Sequence, residues 1–441
     1  MNPAVRAISH AVICLAFFIN LAAQNETNVK PLPFRTAIEL ALKNSASGSA
    51  ARADVERAQA TVRQARDVYL PQVTAGSALG YSHGFPLSLE GSAPSLFNVN
   101  IQEYVFNASQ RDYIRAAQSD AQTAAAQSAD RRNDVMLETA LDYIQLDILD
   151  SSLSVQNEQQ QAVAKLQDIV NQRVEAGLDS QTELTRAKLA VAHTRLDIAQ
   201  TETAADELRL RLSQLTGLPA NAIRTVSETI PQLPSVSQTD DLAGEAATNN
   251  TTVKIAEEAA KAKDFRARAE HKTLYPTFDL AGQYAVLARF NNYDKFFQMG
   301  SFQRNNLSIG VLIRFPFLNP PLRAAASAAH FDAIKAHEEA RNVKQQVSAE
   351  ALRQQRSVQR FAAARDVAQL EHELAQADID AIHAKVESGG ATLREEQNAR
   401  VNEHQRYTAY LNSGFELDKA QVQLLRQIGE LESWALGPTK R

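Results

Sequence analysis

Cysteine is nearly missing from this 441-residue chain: Cys14 stands alone. One thiol excludes a disulfide framework and any cysteine-based zinc or iron–sulfur site. Glycine is scarce, with 16 residues, and aromatics make up only 6%. No segment reaches the roughly 18 uninterrupted apolar residues that a membrane-spanning helix needs. A net charge of −5 leaves no basic excess, so nucleic acid is not an expected partner. Glycine-rich nucleotide loops, a nucleophile elbow and an HExxH metal motif are all missing. The nine histidines are scattered; His330 and His337 share a helical face without a further ligand, and His372 and His383 are expected to face solvent. Neither an enzyme, a cofactor nor a metal site is expected. The mean hydropathy of −0.32 excludes a helical membrane protein but not a β-barrel.

What is present begins with Arg6 and the apolar run Ala11–Ala23, interrupted only by Asn20. The run is too short to span about 30 Å of hydrocarbon as a helix. It ends in Leu21-Ala22-Ala23, with small residues before the cut. Residues 1–23 therefore read as a secretory signal peptide. Cleavage removes both Cys14 and Arg6 and leaves an exported chain free of disulfides.

The remainder reads as one unit written twice. Arg173-Val-Glu-Ala-Gly-Leu-Asp-Ser180 resembles Lys385-Val-Glu-Ser-Gly-Gly-Ala-Thr392, 212 residues on. At the same offset Leu212-Ser-Gln-Leu-Thr-Gly217 falls on Leu424-Leu-Arg-Gln-Ile-Gly429. Tyr69-Leu-Pro71 matches Leu274-Tyr-Pro276, and Phe106-Asn107 matches Phe317 with Asn319 close behind. The expected organisation is a first structural repeat over 24–218, a proline-rich linker over 219–238, a second repeat over 239–433 and a tail over 434–441.

Each copy holds a long stretch without glycine or proline, rich in good helix formers. Leu137, Leu141, Ile144 and Ile148, then Val155, Ala162, Leu166 and Ile169, recur at the coiled-coil period. Long helices are predicted over about 109–176 and 322–388, with return helices over about 179–216 and 391–433. Shorter helices, Thr36–Leu70 and Asp241–Leu274, precede the strands. Together the two short helices of a copy match its long helix in length, so they are expected to stack end to end alongside it.

Between the short and long helix of each copy the period drops to two, which predicts strands over about 71–83, 95–106, 276–289 and 305–316. Phe97, Val99, Ile101 and Val105 alternate with Asn98, Asn100, Gln102 and Tyr104; Leu307, Ile309, Val311 and Ile313 alternate with Asn306, Ser308, Gly310 and Arg314. Seventeen of the 28 aromatics fall in residues 69–113 and 275–317. One apolar face, one polar face and clustered aromatics are the marks of tilted strands crossing an outer membrane. Four strands do not close a barrel, and an open edge in lipid leaves backbone groups unsatisfied. Several copies must then share one barrel; three give twelve strands and a water-filled lumen.

In this order of elements the chain resembles the TolC family of outer-membrane efflux and export channels, over about residues 34–433. The resemblance implies a mainly α fold with a small β part: long antiparallel coiled-coil helices and four transmembrane strands per chain, assembled as a homotrimer with a twelve-stranded β-barrel in outer-membrane lipid and a periplasmic α-helical tunnel. It further implies a passive conduit in a tripartite efflux or type I secretion system. Its partners would be a periplasmic adaptor and an inner-membrane pump or ABC transporter. The adaptor would dock at the tips, with Arg173, Val174, Gly177, Leu178, Lys385, Val386, Gly389 and Gly390 as candidates. Glycine at 177, 389 and 390 suits the left-handed turn that ends a helix. The family places two aspartates three apart after the second tip as a constricting ring; here Glu395 and Asn398 hold those places, with Glu183 and Arg186 equivalent in the first copy. An Arg186–Glu395 contact between neighbouring helices would hold a resting tunnel closed. The alternative is a periplasmic coiled-coil structural or adaptor protein without a pore. An adaptor of that kind needs one hairpin flanked by β-domains, not two hairpins each with a strand pair. Cargo is not legible.

Overall fold

A computed structural model of the chain describes residues 31–78, 95–236, 241–288 and 303–437. The signal peptide over 1–23, the strand ends beyond residues 78 and 288, part of the linker and the last tail residues lie outside the described residues. The elements run α1 (Phe34–Asn44), α2 (Ala46–Asp67), β1 (Gln72–Ala78), β2 (Ser95–Phe106), α3 (Ala108–Glu175) and α4 (Gln181–Thr216). After two single 3₁₀ turns follow α5 (Leu242–Asn249), α6 (Thr251–Lys272), β3 (Thr277–Leu287), β4 (Asn305–Arg314), α7 (Pro320–Glu387), α8 (Leu393–Ile428) and α9 (Leu431–Leu436). The chain is mainly helical with one small sheet. The long helices α3 and α7 have 68 residues each, and the return helices α4 and α8 have 36 each.

Both expected short helices are broken, a correction to the continuous runs read from sequence. The first breaks at Ser45, whose hydroxyl accepts from Gly48 N at 3.1 Å and starts α2, while Asn44 reaches Thr216 O at 2.5 Å. The second breaks at Asn250, which caps α6 by accepting from Thr252 N at 2.8 Å. Short polar side chains that bond nearby backbone compete with the helix ladder and restart it. The last return helix is likewise shorter than expected. It stops at Gly429, whose φ of 82° is open to glycine, and α9 is a separate short helix.

The chain folds as two compact units. One takes in the described residues that fall within Met1–Ser49, Arg131–Ala243 and Glu350–Arg441. Its core holds the single tryptophan: Phe34, fully buried, meets Tyr143 and Trp434 edge-on at 5.3 and 5.4 Å. The Tyr143 hydroxyl donates to Leu32 O at 2.6 Å and accepts from Val226 N at 2.7 Å, which ties the segment after α4 to α3. Asp142, beside it, is buried with Arg211 3.6 Å away and one carboxylate oxygen without a hydrogen-bond partner.

The other unit comprises Ala50–Asp130 and Gly244–Ala349. Small residues such as Ala116, Ala260 and Ala269 are buried where its helices meet. Polar rungs join α3 to α6: Tyr113 to Glu270 at 2.7 Å, Lys272 to the buried Asp112 at 2.5 Å, and Arg266 to Asp120. Asn107 and Asn319 cap α3 and α7 in the same manner, accepting from Ser109 N at 3.1 Å and Leu322 N at 3.2 Å. The sheet belongs to this unit. Its order is β1-β2-β3-β4, antiparallel throughout.

Candidate functional site

The strand register aligns the two faces of the sheet. Thr74, Asn100, Gln283 and Ser308 stand opposite one another across all four strands, and Gly76, Asn98, Ala285 and Asn306 form the next row. The rows between carry Val73, Ile101, Gly282 and Ile309, then Ala75, Val99, Tyr284 and Leu307. One face is thus an amide and hydroxyl ladder without charge in these rows, and the other is apolar. Among the described residues nothing covers the apolar face: Ile309 is 72% exposed, and Val73, Leu307, Val311 and Ile313 are also open. Gln72–Ser77 of β1 and every residue of β4 are exposed, and among the described residues each of these two strands pairs on one side only. Phe315, Phe317 and Leu318 follow β4 and are exposed too. On the polar side, Asp279 is fully buried. It meets Arg314 at 2.6 Å and accepts from Gln102 at 3.4 Å, so the buried carboxylate has an internal countercharge.

The other candidate residues lie at the two turns that join long and return helices. Both turns share one hydrogen-bond pattern. Leu178 N donates to Arg173 O and Gly390 N to Lys385 O, each at 2.8 Å; Gly177 N donates to Val174 O and Gly389 N to Val386 O. This pair of bonds is the Schellman ending, which requires a left-handed residue just past the helix. Gly177 and Gly389 supply it with φ of 71° and 75°. Gly390 does not: it has no positive φ, occupies the place that Leu178 fills in the first turn, and has ordinary room for a side chain. The left-handed role expected for Gly390 is thereby corrected.

Arg173 turns back onto Asp179 at 2.7 Å and holds its carboxyl below the usual range through that hydrogen bond. Ser180 caps α4 by accepting from Glu183 N. Val174 packs on the buried cluster of Val170, Leu184 and Ala187. Leu178, Lys385 and Gly389 are exposed, and Val386 is partly covered.

Glu395 belongs to a capping box. Its carboxylate accepts from Thr392 N at 2.8 Å while Thr392 accepts from Glu395 N. These bonds, the backbone one foremost, lower its pKa. Arg186 pairs with Glu183 one turn earlier, at 2.5 Å. Asn398 is exposed. Within the chain Arg186 and Glu395 therefore each have a local partner.

The sequence reading missed Glu396. It is buried, 3.2 Å from His383 and 2.8 Å from Arg400. Burial raises its pKa, but the bonds and charges of Arg400 and His383 outweigh that, and the carboxyl sits below its ordinary value. Two turns along α8, Glu403 meets His372 at 2.9 Å. The His372 ring also lies flat on Tyr410 and tilted against Tyr407. His372 does not face solvent as expected; it is a covered rung between α7 and α8. The available signal was the spacing of Glu396 and Glu403, two turns apart opposite two histidines three turns apart.

Residues 37–218 match the family model described as outer membrane efflux protein. No curated protein sequence matches the chain significantly. Among solved structures the fold matches the channel-forming protein CusC with TM-score 0.74 and 16% identity, over 90% of this chain and 92% of that one. It matches the outer membrane protein VceC of Vibrio cholerae with TM-score 0.70 and 19% identity, over 90% and 96%. It matches the open state of the MtrE outer membrane channel of Neisseria gonorrhoeae with TM-score 0.69 and 16% identity, over 91% and 90%. At these identities the structural likeness is one of fold. The resemblance to outer-membrane efflux channels read from the sequence is borne out.

Proposed function

We propose that this chain, whose residues 37–218 carry an outer membrane efflux protein domain, is the outer-membrane conduit of an efflux or type I secretion system. The carrying observation is the sheet, which among the described residues has an uncovered apolar face, a polar face uncharged in its central rows and two unpaired edges. Such a sheet is costly in water and equally costly alone in lipid, where each edge leaves backbone groups unsatisfied. Three copies joined edge to edge close a twelve-stranded barrel with the apolar face toward lipid and the Thr74–Asn100–Gln283–Ser308 rows toward a water-filled lumen. The helices then stand in the periplasm as a tunnel. Their tips, with Arg173, Val174, Leu178, Lys385 and Val386, receive a periplasmic adaptor bound to an inner-membrane pump or ABC transporter.

In this reading Glu395, Asn398, Glu183 and Arg186 surround the narrow end of the tunnel. A resting contact between Arg186 and Glu395 would require each to exchange its local partner, so opening and closing trade bonds of similar kind. The test is purification from outer membranes followed by heated and unheated electrophoresis and planar-bilayer recording. A heat-dissociable trimer with ion conductance is expected. A soluble monomer without conductance overturns the proposal.

A further inference from the structure

Two helices of the unit that contains both tips carry a second apolar seam that no described residue covers. One seam of α4 is buried, through Leu184, Val191, Ile198 and Leu208. Another runs along its open side through Leu189, Leu196 and Leu210, which lie seven and then 14 residues apart with Thr203 midway in the longer gap, and Ala192 and Ala199 lie along it. Leu196 is 52% exposed. The tipward half of α7 does likewise through Val367, Leu370, Leu374, Ala377 and Ala381, a spacing of alternating three and four. Leu370 and Leu374 are each 64% exposed. Alternation of three and four is the seam of a coiled coil, which buries knobs from a second helix.

Charge and level match between the two seams. Asp366, Glu371, Glu373, Asp378 and Asp380 flank the α7 seam; Lys188 and Arg195 flank the tipward α4 seam. Glu371 already has a partner in Arg406 at 2.7 Å. Counted from Leu178 and Gly390 at the turns, Lys188 and Asp380 both lie ten residues in, and Arg195 and Glu373 both lie 17 residues in. Leu196 lies 18 residues in, between Leu374 at 16 and Leu370 at 20. The helices run in opposite directions from their tips, so these flanking residues face one another when the seams pair.

Both seams remain open in one chain, so they do not cover each other there. A groove of about 560 Å³ sets Leu166 and Ile169 of α3 against Arg400 and Val401 of α8, so α3 and α8 supply most of the wall between the hairpins. We infer that α4 of one copy pairs antiparallel with α7 of the next. Leu196 sits between Leu370 and Leu374, and the pairs Lys188–Asp380 and Arg195–Glu373 set the register. Such a contact joins unlike surfaces and repeats around a ring when the rotation closes. The inference rests on the reading of the chain as a ring-forming channel and names the helices and residues that meet.

The test uses the full chain in outer membranes, with Leu196→Cys and Leu370→Cys together, oxidised before non-reducing electrophoresis. A reducible ladder ending at three chains is expected, while either single variant gives none. A heat-dissociable trimer without a ladder overturns the seam and leaves the channel reading standing. Absence of any oligomer overturns both. As a second arm, Arg195→Glu is expected to lower the temperature at which the trimer dissociates, and Glu373→Arg in the same chain to restore it. A failure to restore also overturns the pairing.

Discussion

Near its tip the α3–α4 hairpin closes on Val170, Leu184 and Ala187; at the same level the α7–α8 hairpin closes on His383, Glu396 and Arg400. Farther in, the first continues with Val191 and Ile198, and the second with the His372–Glu403 rung and the Arg406–Glu371 pair. The helices have equal lengths and the turns equal hydrogen bonds, so turn geometry does not dictate what fills the seam. The fillings differ in what separation costs. Apolar groups parted in water lose about 25 cal/mol for each Å² exposed, whereas parted ions regain hydration and lose little. By this argument the α7–α8 hairpin is the easier of the two to open.

Five substitutions break or sharpen that comparison. Leu184→Ala removes a buried knob from the apolar seam and is expected to cost about 3 kcal/mol. Hydrogen exchange should rise along the tipward ends of α3 and α4 and stay unchanged in α7. Next comes Asp142, which lies on the apolar hairpin but is charged. Burial pushes its carboxyl up to about 6, against the pull of Arg211. The folded chain therefore binds this proton more readily than the unfolded chain, and stability falls as pH rises from about 4 to about 6. Asp142→Asn should gain about 2 kcal/mol at pH 7 and nothing below pH 4; denaturant unfolding followed by Trp434 fluorescence at both pH values measures it. Asp418 on α8, also raised to about 6 by burial, should respond in the same direction.

Glu403→Ala in the ionic seam should cost about 1.5 kcal/mol, the value of a hydrogen bond to a charged partner. Its footprint is faster exchange near His372, and added salt should shrink the difference from the parent chain. A salt-independent loss as large as that of Leu184→Ala would end the distinction between the hairpins. Smallest is the contrast within one turn. Gly389→Ala should cost about 1 kcal/mol because alanine is strained at positive φ, and Gly390→Ala close to nothing, as read from thermal melts.

Much of the fold was legible because its periods are clean. The alternation from Leu307 to Ile313 reads as a strand, and helix-forming residues without glycine or proline from Leu322 to Ser388 read as helix. The breaks at Ser45 and Asn250 were hidden in residues that suit both a helix interior and a cap; what decides is a tertiary bond such as Asn44 to Thr216. The tip glycines were visible, but their separate duties were not, since Gly389 and Gly390 differ only in backbone angle. Local pattern also gave Glu395 no sign of its capping duty beyond Thr392 three residues earlier. His372 looked exposed because its cover comes from Tyr407 and Tyr410, which are distant in sequence.

If copies of the chain close a barrel as proposed, the open edges of β1 and β4 bear on its life before assembly. On the channel reading proposed above, a single copy presents two ready templates for strand addition and an uncovered apolar face, the pattern by which proteins aggregate. On that reading its folding is coupled to encounter: the rate of reaching a finished sheet depends on the concentration of like copies, and so does the stability that unfolding measures. Dilution should slow maturation more steeply than in proportion, and overproduction should favour productive closure and mispairing together.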